Sequence, residues 1–145
     1  MWSVEPLRLT LPLPPGVNNQ YVTLKDRRRV LSRTSKRWKQ KARQELELLR
    51  FDGTISDAFL AQVQEGYLSL FLDFYFKSPL RRDLDGGLKI IQDTICEALS
   101  VNDNRVVDIH LVKRIDPLNP RVEVQVEALS DWQFDDEYVL LDQPS

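Results

Sequence analysis

Cysteine and histidine are almost missing from this chain: 145 residues hold one of each, Cys96 and His110. A single cysteine excludes an internal disulfide, and without a Cys/His cluster nothing argues for a structural zinc. Cys96 falls on a helical stretch and reads as a small core hydrophobe. His110 falls on the outward side of a strand and reads as a surface residue. Long apolar runs are missing too. The most apolar segment, Tyr67 to Phe76, is far too short to span a bilayer and is interrupted by Asp73. The opening Met1-Trp2-Ser3-Val4-Glu5-Pro6 has neither the basic start nor the apolar stretch of a secretory signal. No repeat is visible, and no low-complexity segment apart from an acidic C-terminal tail. These absences lead to the expectation of a soluble, cytoplasmic protein with no membrane partner.

What is present fits one domain, since 145 residues with a 42% hydrophobic fraction can bury a single core. The net charge of −2 hides an asymmetry. Asp131, Asp135, Asp136, Glu137 and Asp142 give the last fifteen residues five acids and no Lys or Arg. Setting those five aside leaves 17 acids against 20 basic residues in positions 1–130, a net +3. We therefore expect a folded domain over residues 1–130 followed by an acidic tail, 131–145. That tail reads as a solubilising segment, or as one that Trp132, Phe134, Tyr138, Val139 and Leu140 fold back onto the domain. The basic charge is concentrated as well: Lys25 to Arg43 holds ten Lys or Arg and one acid, Asp26. Such a segment is the footprint of a phosphate-backbone binder.

Periodicity gives the elements. Leu7, Leu9 and Leu11 alternate with polar residues as in a half-buried strand. The stretch P-L-P-P-G-V-N-N, residues 12–19, excludes regular structure. Tyr21 to Ser32 suits a hairpin with Arg27, Arg28 and Arg29 at or near its tip. A helix follows, capped by Ser32 or Thr34 and running to about Arg50, with Trp38, Ala42, Leu46 and Leu49 on its apolar face. Arg33, Lys36, Arg37 and Lys39 belong to its basic stretch. Ser56 can cap a further short helix. The strand from Gly66 carries Leu68, Leu70, Leu72, Phe74 and Phe76 on one face, and is apolar enough on the other to be central in its sheet. Val107 to Val112 and Arg121 to Ala128 alternate as two more strands, read here as a hairpin or meander with one wet face. The order predicts an α+β domain: a single mixed β-sheet with two main helices packed on one face.

The chemistry is concentrated in residues 79–108. Asp83 and Asp85 stand one residue apart behind Arg81 and Arg82. A helix then follows, marked by Leu84, Leu88, Ile91, Ile95 and Leu99, for which Asp85 is a suitable cap. Asp85, Lys89, Asp93 and Glu97 are spaced by four and so share its polar face. An isolated Asp-x-Asp is most often a cap or a turn, and an isolated Asn102-Asp103-Asn104 is most often a turn. Together they can do more. Asp83, Asp85 and Asp103 could supply the few oxygen ligands that Mg²⁺ prefers, if the helix folds back and brings the turn beside its start. Lys89 would then lie one helical turn from the ion, facing a substrate phosphate.

This stretch resembles the signature of RusA-type Holliday junction resolvases: Arg82-Asp83-Leu84-Asp85-Gly86-Gly87-Leu88-Lys89, then Asp93, then Asp103-Asn104-Arg105-Val106-Val107-Asp108. The proline loop at 12–19 is similar to that family's N-terminal motif. Gly86 stands where the family usually has Asn. The resemblance implies a homodimeric, structure-specific endodeoxyribonuclease of DNA recombination and repair. Such an enzyme uses Mg²⁺, with Mn²⁺ as a possible substitute, to resolve four-way junctions by paired symmetric nicks. It implies Asp83, Asp85 and Asp103 as metal ligands and, with Lys89, as catalytic residues; Asp93 is a ligand or a group that holds Lys89. Arg27, Arg28, Arg29, Arg33, Lys36, Arg37, Lys39, Arg81 and Arg82 would contact DNA. Two alternatives stand beside this: a cleavage-deficient binder of branched DNA, and a nuclease acting on other branched DNA.

Overall fold

A computed structural model describes residues 4–16, 19–80 and 83–134. Among the described residues the elements run in order: β1 (Leu7–Leu11), β2 (Tyr21–Thr23), β3 (Arg29–Leu31), α1 (Arg33–Phe51), α2 (Asp57–Glu65), β4 (Tyr67–Phe76), α3 (Leu88–Leu99), a 3₁₀ turn (Asp103–Arg105), β5 (Val106–Ile115) and β6 (Arg121–Leu129). This is the expected α+β class, with α2 as a third, short helix. Among the described residues no helix is long and apolar enough to cross a membrane.

The main sheet has the order β1-β6-β4-β5, and β2 pairs with β3 in a separate hairpin. β4 is central, as its double-sided apolar pattern requires. The expected β5–β6 hairpin is not formed: β6 lies antiparallel on one side of β4 and β5 parallel on the other. The reason is the helix between β4 and β5. A helical crossover returns the chain to the end from which it started, which makes the two strands it joins parallel. β6 then takes the buried side of β4, where Val122, Val124 and Val126 are almost fully covered. β5 is left at the edge, with Ile109, Val112 and Ile115 exposed by 37–44%.

The core lies between the helices and one sheet face, joining Leu68, Leu70, Leu72, Phe74 and Phe76 of β4 to Trp38, Ala42 and Leu46 of α1 and Ile90, Ile91, Ile95 and Leu99 of α3. Burying an aliphatic or aromatic side chain of this size contributes roughly 1.5–3 kcal/mol. Ser32 caps α1 by accepting from Ser35 N at 3.1 Å, and Ser56 caps α2 from Phe59 N at 3.1 Å. Cys96 is buried, and burial pushes its thiol up to about 11, which makes it inert. His110 is half-exposed, stacked on Phe71 at 4.5 Å and bonded to Asp108 at 3.0 Å.

Candidate active site

β4 ends at Phe76 and releases the chain into the loop that carries Asp83 and Asp85, both exposed to solvent. Asp85 does not cap α3 through its side chain. The N-cap is Gly87, without a side-chain cap, and Asp85 contributes only its carbonyl, which accepts from Leu88 N at 3.1 Å. The Asp83 carbonyl accepts from Gly86 N at 3.2 Å, so the stretch is a tight turn held by its backbone. Both carboxylates are therefore free of capping duty. Lys89, one helical turn on, has an ammonium 3.4 Å from Asp93 and remains mostly exposed.

Asp103 opens the 3₁₀ turn at the other end of α3. That turn is closed locally and tied to the residue before β4: the Asn102 side chain accepts from Asn104 N at 3.0 Å, Ser100 closes α3 in the left-handed region at φ 57°, and Arg105 Nη1 donates to the Gly66 carbonyl at 3.3 Å. The chain comes back along the last turns of the helix, where the Asp103 carbonyl accepts from Gln92 Nε2 at 3.4 Å. Asp103 and Asp93 thus line one shallow surface pocket of about 240 Å³ with Cys96, Glu97, Val101 and Asn102.

The structure brings Asp93 to Lys89 and to Asp103. It does not bring Asp103 to the Asp83–Asp85 pair. The Asp103 carbonyl meets Gln92, the fifth residue of α3, while Asp83 and Asp85 precede its first. Among the described residues no three His, Cys, Asp or Glu side chains are gathered closely enough to hold a metal ion. Among the described residues Asp83, Asp85 and Asp103 therefore do not form a close cluster within one chain. The donor chemistry does fit a hard cation: every candidate ligand is a carboxylate oxygen, and Asp83, Asp85 and Asp103 are exposed. Asp108 has another role. It accepts from Ser69 Oγ at 3.0 Å, and its bond to His110, followed by that to Ser69, holds its carboxyl below the usual range.

Most of the basic segment is exposed. The β2–β3 hairpin turns through Lys25, Asp26, Arg27 and Arg28, with Arg27 in the left-handed region at φ 69°. Arg28 pairs with Asp26 at 2.6 Å, and Arg29 lies over the Tyr21 ring at 5.2 Å. Arg33, Lys36 and Arg37 are exposed on the first turns of α1. Lys39 departs from the expected set of DNA contacts. It points inward, is 9% exposed, and its ammonium meets Glu97 at 3.0 Å. Arg43 meets the same carboxylate at 3.0 Å. Burial works against the charge on Glu97, but these two partners outweigh it and hold its carboxyl low. Arg81 and Arg82 lie outside the described residues, as do residues 135–145 of the acidic tail. The described part of the tail does fold back: Phe134 packs edge-on to Tyr67 at 5.3 Å and to Trp132 at 6.2 Å.

Sequence reasoning missed Gln20, a buried amide with no motif to mark it, whose side chain reaches the Gly86 carbonyl at 2.6 Å. It also missed the α1–α3 ion pairs, because a charged stripe on one helix does not reveal which member faces a neighbour.

No curated protein matches the chain. A family model described as endodeoxyribonuclease RusA matches residues 12–127 and so takes in both carboxylate turns, Lys89, the basic hairpin and α1. On that match, the chain belongs to the RusA endodeoxyribonuclease family, whose members are divalent-metal-dependent nucleases of junction DNA.

Proposed function

We propose that this protein resolves four-way DNA junctions as a homodimer, hydrolysing phosphodiesters by paired symmetric nicks with Mg²⁺, or Mn²⁺ in its place. The observation that carries the reading is an exposed Asp83–Asp85 turn, one helical turn from Lys89, in a domain matched over residues 12–127 by a junction nuclease family. Asp83, Asp85 and Asp103 would hold the ion, with Asp93 beside Asp103. When bound, a divalent ion supplies Lewis acidity at the scissile phosphate and lowers the pKa of water. The protein's own groups do the rest. Lys89, kept in place by Asp93, meets the phosphate oxygens as their charge grows. Arg27, Arg28, Arg29, Arg33, Lys36 and Arg37 grip the backbone of the arms, reading shape more than sequence.

A dimer also answers the separation of the acids. β5 is a ten-residue edge strand, and among the described residues its outer edge has no strand partner. Two copies paired antiparallel there about Leu111 would set Asp108 of one opposite Arg114 of the other. Each β5 would then start beside the other's finish. Asp116, just past that finish, donates to the Phe76 carbonyl at 2.8 Å, next to the strand end that leads to Asp83. Asp103 of one copy would thus approach Asp83 and Asp85 of the other, twice per dimer, in keeping with two scissile positions.

A synthetic four-way junction incubated with and without Mg²⁺ tests this. Paired symmetric nicks that need the ion, and that Asp83→Asn abolishes while binding survives, are the expected result. Retarded but uncut DNA in Mg²⁺ and Mn²⁺ would replace the nuclease with a junction binder. Equal cutting of linear duplex would remove the junction specificity.

A further inference from the structure

Gln20 is 3% exposed, yet its side-chain nitrogen is fully engaged. It donates to the Pro15 carbonyl at 2.9 Å and to the Gly86 carbonyl at 2.6 Å. Only the NH₂ end of the amide can donate, so two carbonyl acceptors fix which way it points. The backbone carbonyl of the same residue accepts from Ser32 N at 2.9 Å and from Ser35 Oγ at 2.9 Å, at the first turn of α1. One buried residue therefore joins the proline loop, the carboxylate turn and the start of the basic helix. A second contact acts at the same place. Gly87 lies so close to the proline loop that a Cβ there would collide with Pro14 Cγ and sit 3.3 Å from Phe74 Cε1. The turn needs such support, since no side chain caps α3.

We propose that Gln20 is a positioning residue: with the Pro14–Gly87 contact, it fixes Asp83 and Asp85 relative to the basic hairpin and α1. This rests on the nuclease reading for its effect on cleavage, but not for its effect on the turn. DNA held by the basic surface presents its scissile phosphate at one distance, and the clamp keeps the carboxylates there. Misplacing a catalytic group by about 1 Å can cost on the order of a hundredfold in rate. Loss of the clamp would lower the rate of cutting and leave junction affinity intact, because the gripping residues are elsewhere.

The test uses full-length wild type, Gln20→Leu, Gly87→Ala and the double variant Gly87→Ala/Pro14→Ala. Amide hydrogen exchange over Asp83 to Leu88, junction affinity in EDTA and single-turnover cleavage in Mg²⁺ are measured for each. Gln20→Leu and Gly87→Ala should exchange at least tenfold faster in that turn and cut on the order of a hundredfold more slowly, with affinity within about twofold. The double variant, without the Pro14 ring, should recover cutting. Unchanged exchange in the turn of both single variants overturns the clamp, even if the wild type proves inactive. Wild-type cutting rates in both overturn its role in positioning. Absence of cutting by the wild type itself refutes the nuclease reading instead, and the exchange data then judge the clamp alone. Should Gln20→Leu fail to fold, Gly87→Ala and its rescue decide.

Discussion

The two ends of α3 carry the same kind of side chain and differ in how far local caps hold them. At its end, the Asp103 turn is made mostly from neighbours: Asn102 caps it, Ser100 breaks the helix, and Gln92 anchors the Asp103 carbonyl, with Arg105 adding one bond to the distant Gly66 carbonyl. At its start, the Asp83–Gly87 turn has no capping side chain and is tied to residues more than sixty positions earlier, Pro14 and Gln20. Local caps close the Asp103 turn, and its tertiary tie, Arg105 to the Gly66 carbonyl at 3.3 Å, is made by a residue other than the carboxylate-bearing one. The start of α3 needs tertiary help, and that help couples its carboxylates to the basic surface.

The predictions that sharpen this contrast run from large effects to small. The largest is the loss of cleavage in Asp83→Asn, down to background with DNA binding kept, seen in a junction-nicking assay. Asn102→Ala should act locally, costing about 1 kcal/mol of stability through the lost cap. A denaturant titration would show it, with hydrogen exchange at Asp83 to Leu88 unchanged; faster exchange there would deny the independence of the two ends.

Lys39→Met should cost about 1 kcal/mol, because Glu97 keeps Arg43. It should also alter the acid response. The Glu97 carboxyl is held low in the fold, so its stabilisation is complete above the unfolded value near 4.5 and lost as pH falls through the folded value. The wild-type melting temperature should therefore drop on acidification below about pH 4.5, and Lys39→Met should lose less over the same range. The smallest effect has the opposite sign. Arg27 occupies a left-handed conformation that suits glycine, so Arg27→Gly should stabilise by about 0.5–1 kcal/mol. It should also weaken junction binding and flatten its salt slope by about 0.9 if that arginine meets one phosphate. Thermal melts and titrations at several salt concentrations report both.

Much of this is legible in the sequence. The alternation of β4, the caps at Ser32 and Ser56, and the apolar stripe of α3 are local patterns, and local patterns survive folding. The strand order was not legible, because alternation marks a strand's faces and not its neighbours; β5 and β6 read as a hairpin although β4 lies between them. The spacing of Asp85 suits a cap, but the tight turn moves the helix start to Leu88. Asp83, Asp85, Lys89, Asp93 and Asp103 stood out as residue types at telling distances. Their places before and after a helix are legible too; how far the Asp103 turn folds back along that helix, to Gln92, is not, because spacing does not encode tertiary packing.

The central claim is that the two carboxylate turns work together only across two copies. Asp83→Asn and Asp103→Asn, each inactive alone, should recover junction nicking when mixed and allowed to exchange subunits, since one site of the mixed dimer keeps Asp83 and Asp85 from one chain and Asp103 from the other. Such a dimer should nick one strand and not two. If subunits exchange and the mixture stays inactive, the acids act within a single chain and the account is contradicted.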